Sequence, residues 1–296
     1  MQHPLGVSTW VWASPLDDAT LVDLAQRVAG WGFDVLELPV ENPGDWDPGA
    51  ARRVLDDLGL GATTCLVTSP GRELVAADAA TVRSTQDYLR HCVDVAAAVG
   101  ARVVGGPAYA SVGRTWRMSE GERAAVYDEL RENLAPVVEH AVAADVTIAV
   151  EPLNRYETSV LNTVEQALEA LGPLLGPGCG ILLDTYHQNI EERSVVEAVT
   201  LAGTHVAGVQ VCANDRGAPG ADHLDWPAIL GALDGTGYEG PLCIESFTAH
   251  NDAIATAASI WRPLATSQDD LARDGLAFLR ATLSAMPAHR PSAGGA

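Results

Sequence analysis

The stretch VTIAVEPLNRYETSVLNTVEQALEALGPLLGPGCGILLD, residues 146–184, decides the fold. It opens and closes on short apolar runs, VTIAVE (146–151) and CGILLD (179–184), and between them lies a segment with helical spacing whose start is marked by Asn162 and Glu165. Such continuous apolar runs suit parallel strands covered by helices on both faces. The same unit recurs along the whole chain. Further strand-like runs stand at 5–10 (LGVSTW), 34–39 (DVLELP), 61–68 (GATTCLVT), 101–106 (ARVVGG), 206–211 (VAGVQV) and 241–246 (PLCIES), which makes eight.

Helix starts punctuate the intervals. Ser119 with Glu122, Asn162 with Glu165 and Ser267 with Asp270 fit a capping box, and Pro136 is expected to kink or split the helix that follows Ser119. No break in composition divides the 296 residues, so the expected fold is α/β, a single (β/α)8 TIM barrel over residues 1–286, with 287–296 as a disordered tail. GxGxxG, P-loop and GxSxG motifs are absent.

Composition removes whole classes of chemistry. All 18 basic residues are arginine, so a Schiff base or a lysine general base is excluded. A net charge of −21 opposes nucleic-acid binding, which depends on neutralising phosphates. No apolar run is long enough to span a bilayer, and the start MQHPLGVSTWVWASPL has neither the basic nor the apolar region of a secretory signal. A cytoplasmic location is therefore expected, without membrane or nucleic-acid partners. The five cysteines are odd in number and lack any CxxC pair, which fits reduced, buried thiols.

In a barrel of this kind chemistry sits at the C-terminal ends of the strands. Strand 5 ends in Glu151, strand 6 in Asp184, strand 7 carries Gln210 and strand 8 ends in Glu245. Alternation along each strand sets these four above a floor of Ala149, Leu182, Gly208 and Cys243. Three carboxylates converging there would repel one another unless a cation held them. Glu151, Asp184, Gln210 and Glu245 are thus the expected ligands of one divalent ion, with Mn2+ foremost and Mg2+ or Co2+ as alternatives. Glu157, His187 and Arg216 follow in the loops over the mouth and are candidates for contact with substrate.

VEPLNRYETSVLNT, LLDTYHQNIEE, ANDRGAPGADHLDW and IESFT, together with GVSTWVW, LELPVENP and GGPAY, resemble the signature segments of the ketose 3-epimerases, the D-tagatose and D-psicose 3-epimerase group of the xylose-isomerase-like barrels. The likeness runs nearly end to end. It implies a metal on Glu151, Asp184, Gln210 and Glu245, a sugar whose O1 and O2 end is handled by Glu157, His187 and Arg216, and a homo-oligomer. One position departs from the group, which usually has histidine where this chain has Gln210, whereas the related hydroxypyruvate isomerases have glutamine there.

Epimerisation at C3 of a ketose requires a stabilised enediolate and bases on opposite faces. Strands 5 and 8 lie roughly 135° apart around an eight-stranded barrel, which suits Glu151 and Glu245 as the catalytic pair. The same residues could serve a hydroxypyruvate-type or aldose–ketose isomerase, or a metal-dependent lyase on 3-oxo-glycosides. A non-enzymatic sugar-binding barrel would not need two opposed glutamates. No glycine-rich loop after strand 7 or 8 is built to cradle phosphate, so a free sugar is the expected substrate.

Overall fold

In the computed structural model, which describes residues 3–286, all eight runs become strands: β1 (Leu5–Ser8), β2 (Val35–Pro39), β3 (Gly61–Cys65), β4 (Val103–Gly106), β5 (Thr147–Val150), β6 (Cys179–Asp184), β7 (Val206–Val211) and β8 (Leu242–Ile244). They pair in chain order, all parallel, and β8 closes on β1 through Leu5 and Leu242. The expected tail at 287–296 lies outside the described residues.

Several strands are shorter than the apolar runs that predict them: β3 ends at Cys65, β4 begins at Val103 and β8 spans only Leu242–Ile244. The two glutamates stay attached nonetheless. Glu151 N–H donates to Gly106 O at 3.0 Å and Glu245 N–H to Val211 O at 3.2 Å, so each carboxylate stands on a residue still pinned to the adjacent strand.

One outer helix follows each strand: α1 (Asp18–Trp31), α2 (Pro48–Leu58), α3 (Ala79–Val99), α4 (Glu120–Ala143), α5 (Val164–Leu171), then, after the short α6 (Thr185–Glu191), α7 (Val195–Ala202) and α8 (Trp226–Thr236), and finally, after the short α9 (Asp252–Ala257), α10 (Gln268–Ala285). Each outer helix begins on an Asp, Ser or Thr whose side chain accepts a backbone N–H of its first turn: Asp17, Asp47, Asp78, Ser119, Thr163, Ser194, Asp225 and Ser267. These short polar side chains satisfy donors that a helix leaves unpaired, and so they fix where each helix starts.

Two expectations are corrected. The cap of α5 is Thr163, not Asn162: Gln166 N–H donates to Thr163 Oγ1 at 3.2 Å while Gln166 Oε1 accepts from Asn162 N–H at 2.7 Å. Asn162 instead spends its side chain on Leu153 O and Thr158 O, bracing the loop after β5. Pro136 does not split α4, which is one helix of 24 residues. Proline removes a single backbone donor, and the buried stripe Leu130, Leu134, Val137, Val138 and Ala141 carries the helix past it against the barrel. The box of Ser119 and Glu122 is present as expected, and Ser267 caps α10.

The barrel interior is closed below the mouth by Leu182. A Cβ at Gly208 would come within 2.7 Å of Leu182 Cδ1, and one at Gly105 within 3.1 Å of its Cδ2, so those two glycines make room for the plug. Ala149 lies beside it, 3.6 Å from the same Gly208 direction. The apolar floor expected from alternation is thereby observed, and it shields the polar groups above from water on one side. The five cysteines are free and buried, and among the described residues no helix is long and apolar enough to cross a membrane.

Candidate active site

The structure gathers five of the seven expected site residues into the lining of one cavity, and the other two, Asp184 and Gln210, lie beside them, paired in register between β6 and β7. Glu151, Asp184, His187, Gln210, Arg216 and Glu245 are each no more than 5% exposed. Glu151, Glu157, His187, Arg216 and Glu245 line a cavity of about 260 Å³ at the C-terminal mouth.

Arg216 is the hub. It sits in a turn closed by Arg216 N–H to Ala213 O at 2.9 Å and Ala213 N–H to Gly217 O at 2.9 Å, with its own φ at +69°, a conformation unusual for a residue with a Cβ. The turn folds the side chain back into the barrel. There Nη1 donates to Asp184 Oδ2 at 2.5 Å and to Glu245 Oε2 at 2.8 Å. The guanidinium is also sandwiched between aromatic faces, 4.3 Å above the Tyr186 ring and 5.3 Å from that of Phe247.

His187 is oriented by Asn154, which donates its backbone N–H to Nδ1 at 3.0 Å. Its Nε2 faces Glu151 Oε1 at 3.5 Å. Arg216 Nη2 lies 2.9 Å from the same nitrogen, so a donor faces each nitrogen of the ring. Asn154 Nδ2 also holds Glu157 Oε1 at 2.7 Å, fixing the half-buried Glu157 at the rim.

Electrostatics separate the four acids. Burial pushes Glu151 well above the ordinary carboxylate range, and the charges of Glu245 and Asp184 push it further. Burial raises Glu245 as well, against the opposing pull of Arg216. Asp184 moves the other way: burial would raise it, but Arg216, His187 and the Tyr186 backbone N–H hold it below its ordinary value. Burial raises Glu157, with Arg216 opposing. His187 is driven by burial down to about 3, so it is neutral.

Two buried oxygens in this region have no hydrogen-bond partner, Glu151 Oε1 and Gln210 Oε1. A buried acceptor without a partner is costly, and an oxygen-binding cation would satisfy both. Donor atoms of Glu151, Asp184 and His187 also lie within 4.8 Å of one another, a spacing that a metal ion could bridge. The donor set thus fits a divalent ion.

Sequence reasoning gave no role to Glu37 of β2. It is 4% exposed and accepts from Gln210 Nε2 at 2.9 Å, so the amide must present its oxygen as the other end. Burial raises Glu37 to about 7, against the Gln210 bond and with the charge of Asp184 adding to the rise. The signal was in plain sight as the one acid inside the apolar run LELP. Asn154, Tyr186 and Phe247 were also unassigned, and nothing in their spacing marks them as the supports of His187 and Arg216.

Residues 25–282 match the family described as xylose isomerase-like TIM barrel. The chain is 34% identical to a probable ketose 3-epimerase of Synechocystis over 94% of its own length and 96% of that protein. It is 31% identical to the ketose 3-epimerase of Arthrobacter globiformis, covering 95% and 97% of the two chains. Among solved structures, an L-ribulose 3-epimerase superposes with a TM-score of 0.88 at 28% identity, covering 96% of this chain and 95% of the other. A D-allulose 3-epimerase from Methylomonas in complex with D-allulose superposes with a TM-score of 0.86 at 27% identity, covering 95% and 97%. The chain belongs to the xylose isomerase-like TIM barrel family, within its ketose 3-epimerase group, and is an isomerase.

Proposed function

We propose that the protein epimerises a free ketose at C3, with Glu151 and Glu245 as the two proton-transfer groups and a divalent ion held by Glu151, Asp184, Gln210 and Glu245. The observation that carries this reading is a continuous polar arc between the two glutamates. His187 Nε2 stands 3.5 Å from Glu151, Arg216 Nη2 2.9 Å from His187, and Arg216 Nη1 2.8 Å from Glu245. A pair of bases thus faces one cavity from strands three apart, with a cation and a neutral imidazole between them to orient the substrate oxygens.

Gln210 is preferred to His187 as the fourth ligand because both ring nitrogens of His187 already face protein donors. Nδ1 of His187 faces the Asn154 backbone N–H at 3.0 Å, and Nε2 faces Arg216 Nη2 at 2.9 Å. Gln210 Oε1 has no competing partner. The ion, when bound, would stabilise the enediolate charge as a Lewis acid. Glu245 or Glu151 removes the C3 proton, and the other returns one from the opposite face, which inverts the centre. His187 and Arg216 steady the O1 and O2 end, and Glu157 closes the rim. The enclosing floor of Leu182 and Ala149 keeps bulk water from protonating the intermediate indiscriminately.

The names of the relatives, which are ketose, L-ribulose and D-psicose 3-epimerases, support a free ketose as substrate. Manganese, a cytoplasmic location and a homo-oligomeric state belong to the same reading, and metal analysis and sedimentation test the first and last. The decisive test of the reaction is incubation of the manganese-loaded protein with a ketohexose panel in D2O. Deuterium at C3 of an inverted product is the expected result. Label at C1 or C2 without inversion at C3 would replace this reading by an aldose–ketose isomerase.

A further inference from the structure

At the other end of the cavity a second carboxylate waits, outside the set just described. Glu41, two residues past β2, lines the same cavity as the catalytic residues. The wall can be followed from one to the other. Arg216 lies 5.3 Å from the Phe247 ring, Phe247 packs on Trp10 with centroids 5.8 Å apart, and Trp10 Nε1 donates to Glu41 Oε1 at 3.0 Å. Ser14 Oγ lies 2.9 and 2.8 Å from the two Glu41 oxygens and donates its one proton between them.

Two protons are therefore directed at a group with about four acceptor positions, so Glu41 retains capacity for two more donors. Among the described residues it forms no ion pair. Arg72, the nearest arginine to this loop by contact, is committed elsewhere: its Nη1 donates to Val67 O at 3.2 Å, its Nη2 to Asn42 Oδ1 at 3.3 Å, and its Cζ lies 3.7 Å over the Tyr88 ring. The carboxylate is thus an uncompensated anion with spare acceptor capacity, held in place by an indole that is 6% exposed.

Resting on the reading of the site as a ketose epimerase, we propose that Glu41, fixed by Trp10 and Ser14, accepts the hydroxyls at the far end of the sugar chain and excludes substrates that carry an anion there. Sugar hydroxyls are the donors this group lacks. A phosphate or carboxylate in their place would offer no proton in its ionised form and would be repelled by the Glu41 carboxylate. The substrate class is accordingly a neutral ketose with a free polyol tail, chosen by one residue remote from the chemistry.

The test compares D-fructose with D-fructose 6-phosphate in the wild type, Glu41→Gln and Glu41→Leu. Glutamine keeps an acceptor for Trp10 and Ser14 but removes the charge, so the ratio of kcat/KM for free over phosphorylated sugar should fall about tenfold or more. Leucine removes the acceptor, so KM for the free sugar should rise about tenfold while kcat stays within a few-fold, the mark of lost uniform binding. An unchanged ratio in Glu41→Gln overturns the proposal, whatever Glu41→Leu does to KM. If the wild type turns over no member of the ketohexose panel, the epimerase reading fails separately. Calorimetric binding of the same two sugars to the same variants then decides the role of Glu41 by the same ratio.

Discussion

Gln210 and Glu37 face each other across the barrel interior, the amide Nε2 donating to the carboxylate at 2.9 Å while the amide oxygen is buried with no partner. The amide points its Nε2 at Glu37 and its Oε1 away from it. Glu37 therefore acts on the site through Gln210.

Replacing Glu37 by Leu should weaken manganese binding by about ten- to a hundredfold, the usual effect of losing a partner that orients a metal ligand. Glu37→Gln, which can still accept the Gln210 N–H, should retain most of the affinity. Titration of the metal-free protein with Mn2+ by calorimetry reads both. Equal affinities in the wild type and Glu37→Leu would remove Gln210 from the ligand set.

Glu151→Gln and Glu245→Gln should each reduce kcat by about 10²- to 10⁴-fold, the contribution of a positioned acid or base. The two losses should not multiply in the double variant, since a proton removed on one face must be returned on the other. Near-full turnover in either variant with bound metal verified would eliminate the two-base assignment.

Arg216→Met should destabilise the metal-free protein by about 3–5 kcal/mol, because Asp184 and Glu245 would be left buried without their cation. Manganese should return part of that loss, by about 2.7 kcal/mol when its free concentration is a hundred times its dissociation constant. Thermal midpoints with and without metal measure both effects, and a variant as stable as the wild type without metal would show that Arg216 is not the compensating charge.

The caps give a pH dependence with a definite sign. Asp78 accepts from Ala80 and Thr81 N–H at the start of α3, and those bonds hold its pKa below the ordinary 3.8. A carboxylate depressed in the folded state contributes stability above its unfolded pKa and loses it as pH falls through the folded one. Asp78→Ala should therefore lower the thermal midpoint at pH 7, and the gap from the wild type should close progressively below pH 3.8. A gap that persists unchanged to strongly acidic pH would assign the effect to something other than the ionised cap.

What the chain spelled out by itself was the repeat and the positions of its chemistry. Strand after strand reads as an apolar run because both faces are covered, and Glu151, Asp184, Gln210 and Glu245 fall at run ends because that is where the barrel opens to solvent. Helix starts were legible wherever a cap and its partner lie three residues apart, as at Ser119. The shift to Thr163 was not, because Asn162 had a better use in the β5 loop, on carbonyls that only the folded loop brings near.

Tertiary structure alone decided how those groups meet. The pairing of Glu37 with Gln210 spans 173 residues, and the contacts of Arg216 with Asp184 and Glu245 depend on a turn with a positive φ that no local pattern announces. The orientation of the His187 ring likewise depends on a backbone N–H 33 residues away. Hydrophobic periodicity is a property of neighbours along the chain, and hydrogen bonding within a buried site is a property of neighbours in space. The first fixed the barrel, and the second turned its mouth into a buried cluster where two glutamates, an oriented amide and Arg216 meet.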